Sequence, residues 1–288
     1  MTIEKEMVLS GGVVRIAKLR HEWFDFLDDP LTAISAMQRA KLADLFTFLH
    51  DLNDKRPYYP FYKEPAAAAV LPVTSYEQWW SDLDSRVRNK IRKAYKNGVE
   101  LRLAELDEDF ARGVEGIYNE SPVRQGRQFW YYGKKAAFIK EDLSSLLDRC
   151  YFVGAYFRGE LIGFAKLFHG KDILRTVHII SKLSQREKPV QDALIARAVQ
   201  ICEEKNIHRL QYGSWSRGGL GTFKEKRGFV KLDYSRYYVP ISFRGKWLLQ
   251  FRLHHGLKGR LSEKWVESLI GLRTSWNNLR YGGSFSGV

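Results

Sequence analysis

The chain has 288 residues and a formal net charge of +14, from 47 Lys and Arg against 33 Asp and Glu. With 44% hydrophobic and 14% aromatic residues, 23 Gly and 8 Pro, it carries too many large apolar side chains to be disordered and too little Gly to be collagen-like. Two cysteines, Cys150 and Cys202, make neither a disulfide framework nor a zinc-ligand spacing, so no metal is expected and a reducing cytoplasm is.

No stretch approaches the ~20 consecutive apolar residues of a membrane span, and no apolar run of signal-peptide length opens the chain. The surplus of cations implies an anionic partner: nucleic acid, a phosphorylated cofactor or a lipid headgroup.

In chain order, residues 1–60 are close to electroneutral and predict a strand over 13–19, then mostly helix, amphipathic over 36–49. Segment 54–65, with three prolines and four aromatics, reads as a loop over an apolar surface, and 66–73 as a short buried strand. Ser75 with Gln78 three residues on has capping-box spacing. Residues 86–98 hold six basic side chains and no acid, and predict a helix stopped by Gly98 with cations in its last turns. That run is either a solvated face or an anion-binding helix.

From 99 the pattern predicts a strand (99–106), a helix (107–121), a polar-aromatic segment (122–134) and a helix (136–149). A hairpin over 151–170 turns at Arg158-Gly159, and a strand follows over 173–183. A helix begins near Pro189 and runs to about Asn206, with Val190, Leu194, Ala198 and Cys202 at helical spacing. A strand (208–215), a short helix (219–228) and a strand or strand pair (229–241) complete the series. Residues 242–288, eight basic and two acidic with Trp247, Trp265 and Trp276, read as a basic helical tail.

This order resembles the GNAT (N-acetyltransferase) superfamily, and Lys226-Arg227-Gly228-Phe229 resembles its closing motif. Two segments resemble the Fem-type aminoacyltransferases more closely: Arg88-Asn89-Lys90-Ile91-Arg92-Lys93-Ala94 leading to Gly98-Val99, and Gly219-Leu220 through Phe223-Lys224 to Gly228-Phe229. The resemblance implies an α/β (α+β) fold, with a mixed, mostly antiparallel central sheet flanked by helices. It sets the domains as a smaller N-terminal α/β segment (1–85), a GNAT-like acyltransferase domain (86–241) and the helical tail (242–288).

The same resemblance implies an enzyme that moves an acyl or aminoacyl group onto an amine of an anionic acceptor, such as a sugar-nucleotide or cell-envelope precursor. The donor is acyl-CoA or aminoacyl-tRNA. Where GNAT proteins cradle pyrophosphate on glycine N–H groups, this chain aligns Arg186 with the leading Arg or Gln. Pro189 and Gln191 then stand where glycines belong, and proline removes a donor. Arg186, Lys188 and Gln191 are the candidate cofactor-binding residues, and the degraded cradle favours an aminoacyl donor.

His178, on the strand before the cradle, is the candidate general base, with structural packing as its alternative. Lys224 stands where GNAT proteins commonly have Tyr, and is a candidate for neutralising charge at the donor. Tyr238 in the last strand is a weaker candidate. Arg124, Arg127, Trp130 and Tyr132 of the polar-aromatic segment are the candidate acceptor-binding residues, since arginines clamp carboxylate or phosphate and rings stack on sugar or base. The alternatives to an acyltransferase are an RNA-binding protein, with tRNA as one partner, and a membrane-peripheral protein touching anionic lipid through its tail.

Overall fold

The computed structural model describes residues 7–12, 14–20, 22, 27, 29–50, 59–170 and 172–254. Its elements are β1 (Met7–Ser10), β2 (Ile16–Leu19), α1 (Pro30–Ala40), β3 (Leu45–Leu49), β4 (Tyr62–Pro72), α2 (Tyr76–Asp82), α3 (Ser85–Lys96), β5 (Glu100–Ala104) and α4 (Glu108–Tyr118). Then come β6 (Val123–Arg124), β7 (Arg127–Gln128), α5 (Ala136–Leu143), β8 (Cys150–Phe157), β9 (Glu160–His169), β10 (Leu174–Ser181), α6 (Val190–Glu204), β11 (Arg209–Ser214), α7 (Gly218–Glu225), β12 (Val230–Pro240) and α8 (Phe243–Gln250). The described residues divide into two compact units, one of those up to 68 with those from 232, the other of 69–231.

The first unit orders its strands β1-β2-β3-β12-β4, with β2 parallel to β3 and β12 antiparallel to it. Its core is Phe46, Phe48, Tyr237 and Val239 against Ala33, Ile34 and Met37 of α1. Two expectations are corrected here. The helix expected over 36–49 stops at Ala40, where Lys41 turns left-handed (φ 49°), and Leu45–Leu49 is a strand buried at every position. A five-residue segment buried on both faces, with Thr47 its one polar side chain, has no period to separate strand from helix. The loop expected over 54–65 gives way to β4 from Tyr62.

The second unit orders its strands β4-β11-β10-β9-β8-β5. The pairs β5/β8, β8/β9 and β9/β10 are antiparallel and β10/β11 is parallel, the mostly antiparallel mixed sheet expected. β8 and β9 turn at Arg158-Gly159, both left-handed (φ 52° and 82°), as that dipeptide predicts. Val153, Ala155, Ile162 and Ala165 pack with α3 and α6; Phe152, Leu161 and Phe164 pack with α4 and α5.

α3 forms because Asp84 accepts the Arg86 N–H (2.7 Å) and Val87, Ile91 and Ala94 recur on one buried face. Gly98 (φ 79°) follows its end, as the sequence predicts. Ser75 likewise caps α2, accepting the Gln78 N–H at 3.0 Å. The helix expected over 136–149 ends early, at Leu143, and a short 3-10 turn covers Leu147–Arg149. Of the basic tail, α8 is described; 255–288, with Trp265 and Trp276, lie outside the described residues. Among the described residues no helix is long and apolar enough to cross a membrane, and no group of His, Cys, Asp or Glu could hold a metal ion.

Candidate functional site

β10 and β11 pair at two positions only, Leu174 with Leu210 and Arg175 with Gln211, although β10 continues to Ser181 and β11 to Ser214. Just beyond the last pair, Thr176 Oγ1 donates to the Gln211 carbonyl at 3.1 Å. At the same place the register of β10 against β9 slips, with Val177 as the extra residue between Thr176 and His178. A bulge bends its strand and re-aims the following side chain. The two strands therefore part, and their unpaired stretches carry His178 on one and the attachment of Lys224 on the other.

His178 is half-buried as a residue, but its ring lies against those of Phe164 (6.3 Å between centroids), Tyr131 (5.5 Å) and Tyr118 (6.4 Å). That burial, partly opposed by Asp142, pushes the imidazole pKa down to about 4 and keeps it neutral. Tyr131 Oη donates to Asp142 Oδ2 at 2.9 Å and lies 3.5 Å from His178 Nε2. With its O–H directed at Asp142, the phenol oxygen can only accept from Nε2–H, which leaves the imidazole lone pair at Nδ1. Burial and Asp142 both raise the Tyr131 pKa, so the phenol stays protonated. Sequence reasoning missed Tyr131 and Asp142 in this role.

Lys224 is 3% exposed, so it is no solvent-facing lysine. Its ammonium donates to the Ser214 carbonyl (2.7 Å) and Ser216 Oγ (3.0 Å), and sits 4.9 Å from the Tyr212 ring centroid. Burial lowers its pKa. Three residues on, Arg227 is buried against Asp192, donates to the Phe223 carbonyl (2.6 Å), and lies over the Phe223 ring. This pair ties the helix carrying Lys224 to the first turn of α6. Lys226, between them, is exposed.

Arg124 and Arg127 face each other across the β6–β7 hairpin, whose Gln125-Gly126 turn is left-handed at both residues (φ 51° and 68°). Their surroundings differ. Arg124 donates to the carbonyls of Ser181 (2.9 Å) and Ile117 (2.6 Å) and braces the hairpin against β10 and α4. Arg127 and Tyr132 are exposed, and Trp130 is 70% exposed. Lys134 stands 4.7 Å from the ring centroids of both Trp130 and Phe138. Tyr132 lines an open cleft of about 590 Å³ with Arg112, Glu115, Asn119, Gly133 and Lys135.

At the start of α6, Val190 N donates back to the Lys188 carbonyl (2.6 Å), and Pro189 has no N–H. The Lys188 ammonium is bonded to Gln185 (2.8 Å) and Glu187 (2.6 Å). Arg186 is exposed and Gln191 half-buried. Just upstream, the Glu120 carboxylate accepts the N–H groups of Leu183 and Ser184, which lowers its pKa despite its burial. The loop that would cradle pyrophosphate thus has fewer open donors and a carboxylate beside it. Tyr238 lies in the other unit, buried, with its ring 4.7 Å from that of His254 and 6.0 Å from that of Tyr62. Burial, then Glu64, raises its pKa.

No family model matches the chain, and no curated protein matches it in sequence. Among solved structures, FemX is similar to it with a TM-score of 0.61 over 85% of both chains, at 10% identity. L-PGS from Bacillus licheniformis is similar with a TM-score of 0.56 over 88% of this chain and 87% of that one, at 14% identity. The fold is the one shared with FemX and L-PGS. Identities this low speak for the fold alone.

Proposed function

We propose that the 69–231 unit transfers an aminoacyl group from aminoacyl-tRNA onto an amine of an anionic acceptor. The observation that carries this reading is the parting of β10 and β11, with a neutral imidazole on one edge and a buried ammonium on the other. An acyl carbonyl laid between them meets unpaired backbone N–H groups of a strand edge, which stabilise the developing oxyanion. His178 Nδ1 takes the proton of the attacking amine, and Tyr131 with Asp142 holds the ring in that tautomer. Lys224 stabilises negative charge on the leaving oxygen of the donor. Arg127, Trp130 and Tyr132 bind the acceptor, with Arg124 positioning their hairpin.

Three features favour tRNA over coenzyme A. The N–H groups ahead of α6 are depleted by Pro189 and by the Lys188 carbonyl, and the Lys188 ammonium is already engaged. Glu120 sets a carboxylate beside that loop, where pyrophosphate would be repelled. Arg86, Lys90, Arg92, Lys93 and Lys96 of α3 form an exposed basic face suited to a phosphate backbone. The likeness in fold to FemX and to L-PGS, a lysylphosphatidylglycerol synthetase, fits an aminoacyl chemistry.

The test offers the purified chain labelled aminoacyl-tRNA and, separately, labelled acyl-CoA, with an extract of amine-bearing envelope precursors. Label should pass from tRNA to a small anionic product. Replacing Lys90, Lys93 and Lys96 with Gln should lower the salt slope of tRNA retention by about 2 to 3. Transfer from acyl-CoA alone would move the donor assignment, and transfer from neither donor would sink the transferase reading.

A further inference from the structure

α8 presents Phe243, Trp247 and Phe251 at i, i+4 and i+8, which puts three rings on one face of the helix. They are 72%, 46% and 41% exposed, with centroids 5.8 Å apart from Phe243 to Trp247 and 5.1 Å from Trp247 to Phe251. The core does not hold them. The helix is fixed by its other face, where Gly245 is buried so tightly that a Cβ would strike the Asp44 carbonyl oxygen. Ser242 Oγ accepts the Gly245 N–H (3.3 Å) and donates to Asp44 Oδ1 (2.7 Å), and the N–H groups of Ile241 and Ser242 both donate to the Asp44 carbonyl. That anchorage turns the ring stripe outward.

Arg244, Lys246 and Arg252 are exposed around the stripe, and 242–254 contain no Asp or Glu. Exposed Phe and Trp rings beside exposed cations, on a segment with no acid of its own, have the composition of a helix that lies in a lipid interface. We infer that the Phe243–Trp247–Phe251 stripe docks on an anionic lipid bilayer, its rings at the acyl-chain boundary and its cations on headgroup phosphates. A second copy of this chain is a poor occupant, because pairing two such faces brings six like charges together. A helix of eight residues gives reversible contact, not an anchor. The inference goes beyond acyl transfer and uses other residues, so vesicle binding tests it without reference to turnover.

The full chain is sedimented with phosphatidylcholine vesicles and with vesicles carrying about one-third phosphatidylglycerol, at about 0.1 M salt. It should pellet with the anionic vesicles. The Phe243→Ser, Trp247→Ser, Phe251→Ser triple variant should lose binding by about tenfold or more with its thermal midpoint unchanged, while Trp247→Phe keeps it. Replacing Arg244, Lys246 and Arg252 with Gln should erase the preference for anionic lipid. The inference is overturned if the wild type stays in the supernatant with both vesicles or the triple-Ser variant pellets equally well. It is also overturned if that variant instead dissolves a dimer or lowers the thermal midpoint, which would show the stripe covered by a second copy or by residues 255–288.

Discussion

Acidifying the solution tests the imidazole that the fold keeps neutral. In the unfolded chain His178 titrates near 6.5, whereas burial among Tyr118, Tyr131 and Phe164 pushes it down to about 4 in the folded state. The unfolded state therefore binds the proton first. This contribution to stability is complete above pH 6.5 and drains away as the pH falls from 6.5 towards 4. At about 1.4 kcal/mol for each tenfold change, up to about 2 kcal/mol is lost between pH 7.5 and pH 5. Urea unfolding of the wild type and of His178→Gln at the two pH values isolates it, since the amide does not titrate. The wild type should lose about 1–2 kcal/mol more than the variant across that interval. A base that stays deprotonated down to about pH 4 also leaves the transfer rate flat from pH 5 to pH 8 where this group alone controls it. Parallel unfolding losses, together with an acidic limb near pH 6.5 that His178→Gln removes, would refute the buried, neutral imidazole.

Lys224→Met separates a charge that acts on the donor from a brace. The Ser214 carbonyl it releases belongs to an exposed residue and can return to water, and the cost of burying the ammonium disappears. Stability should change by about 1 kcal/mol or less by urea titration, while transfer from aminoacyl-tRNA falls about 100-fold. A large stability loss with activity falling only in step would make Lys224 structural. Arg227→Leu should destabilise by about 3–5 kcal/mol, because it strands the Asp192 carboxylate in a site where burial already raises its pKa. Adding Asp192→Leu should recover most of that loss, and no recovery would show that the pair is not what the site needs.

Elements with a full period and a chemical stop could be read without coordinates. α3 shows its apolar spacing at Val87, Ile91 and Ala94 and its end at Gly98; the β8–β9 hairpin shows its turn at Arg158-Gly159; α6 shows its start after Pro189. Local sterics and the burial of one face fix these, and both are written in neighbouring residues. Leu45–Leu49 failed because a strand buried on both faces carries no alternation. The Gln125-Gly126 turn is equally short-range, but the strands it joins are two residues each, too short to show an alternation in the sequence.

The residue types of the candidate site were legible, but not their partnerships. Arg124 and Arg127 are alike in the chain, and only folding puts one guanidinium on the carbonyls of Ile117 and Ser181 while leaving the other exposed. Nothing near His178 in sequence announces Tyr131 or Asp142, which come from a loop and a helix laid over the bulge in β10. By itself the sequence determined the elements that have a full apolar period and a chemical stop, the cationic face of α3 and the loss of glycines ahead of α6. Tertiary structure decided which charges are buried, which donors are already taken and where β10 leaves β11. Desolvation and hydrogen-bond saturation depend on atoms brought together from distant positions, and no local pattern encodes them.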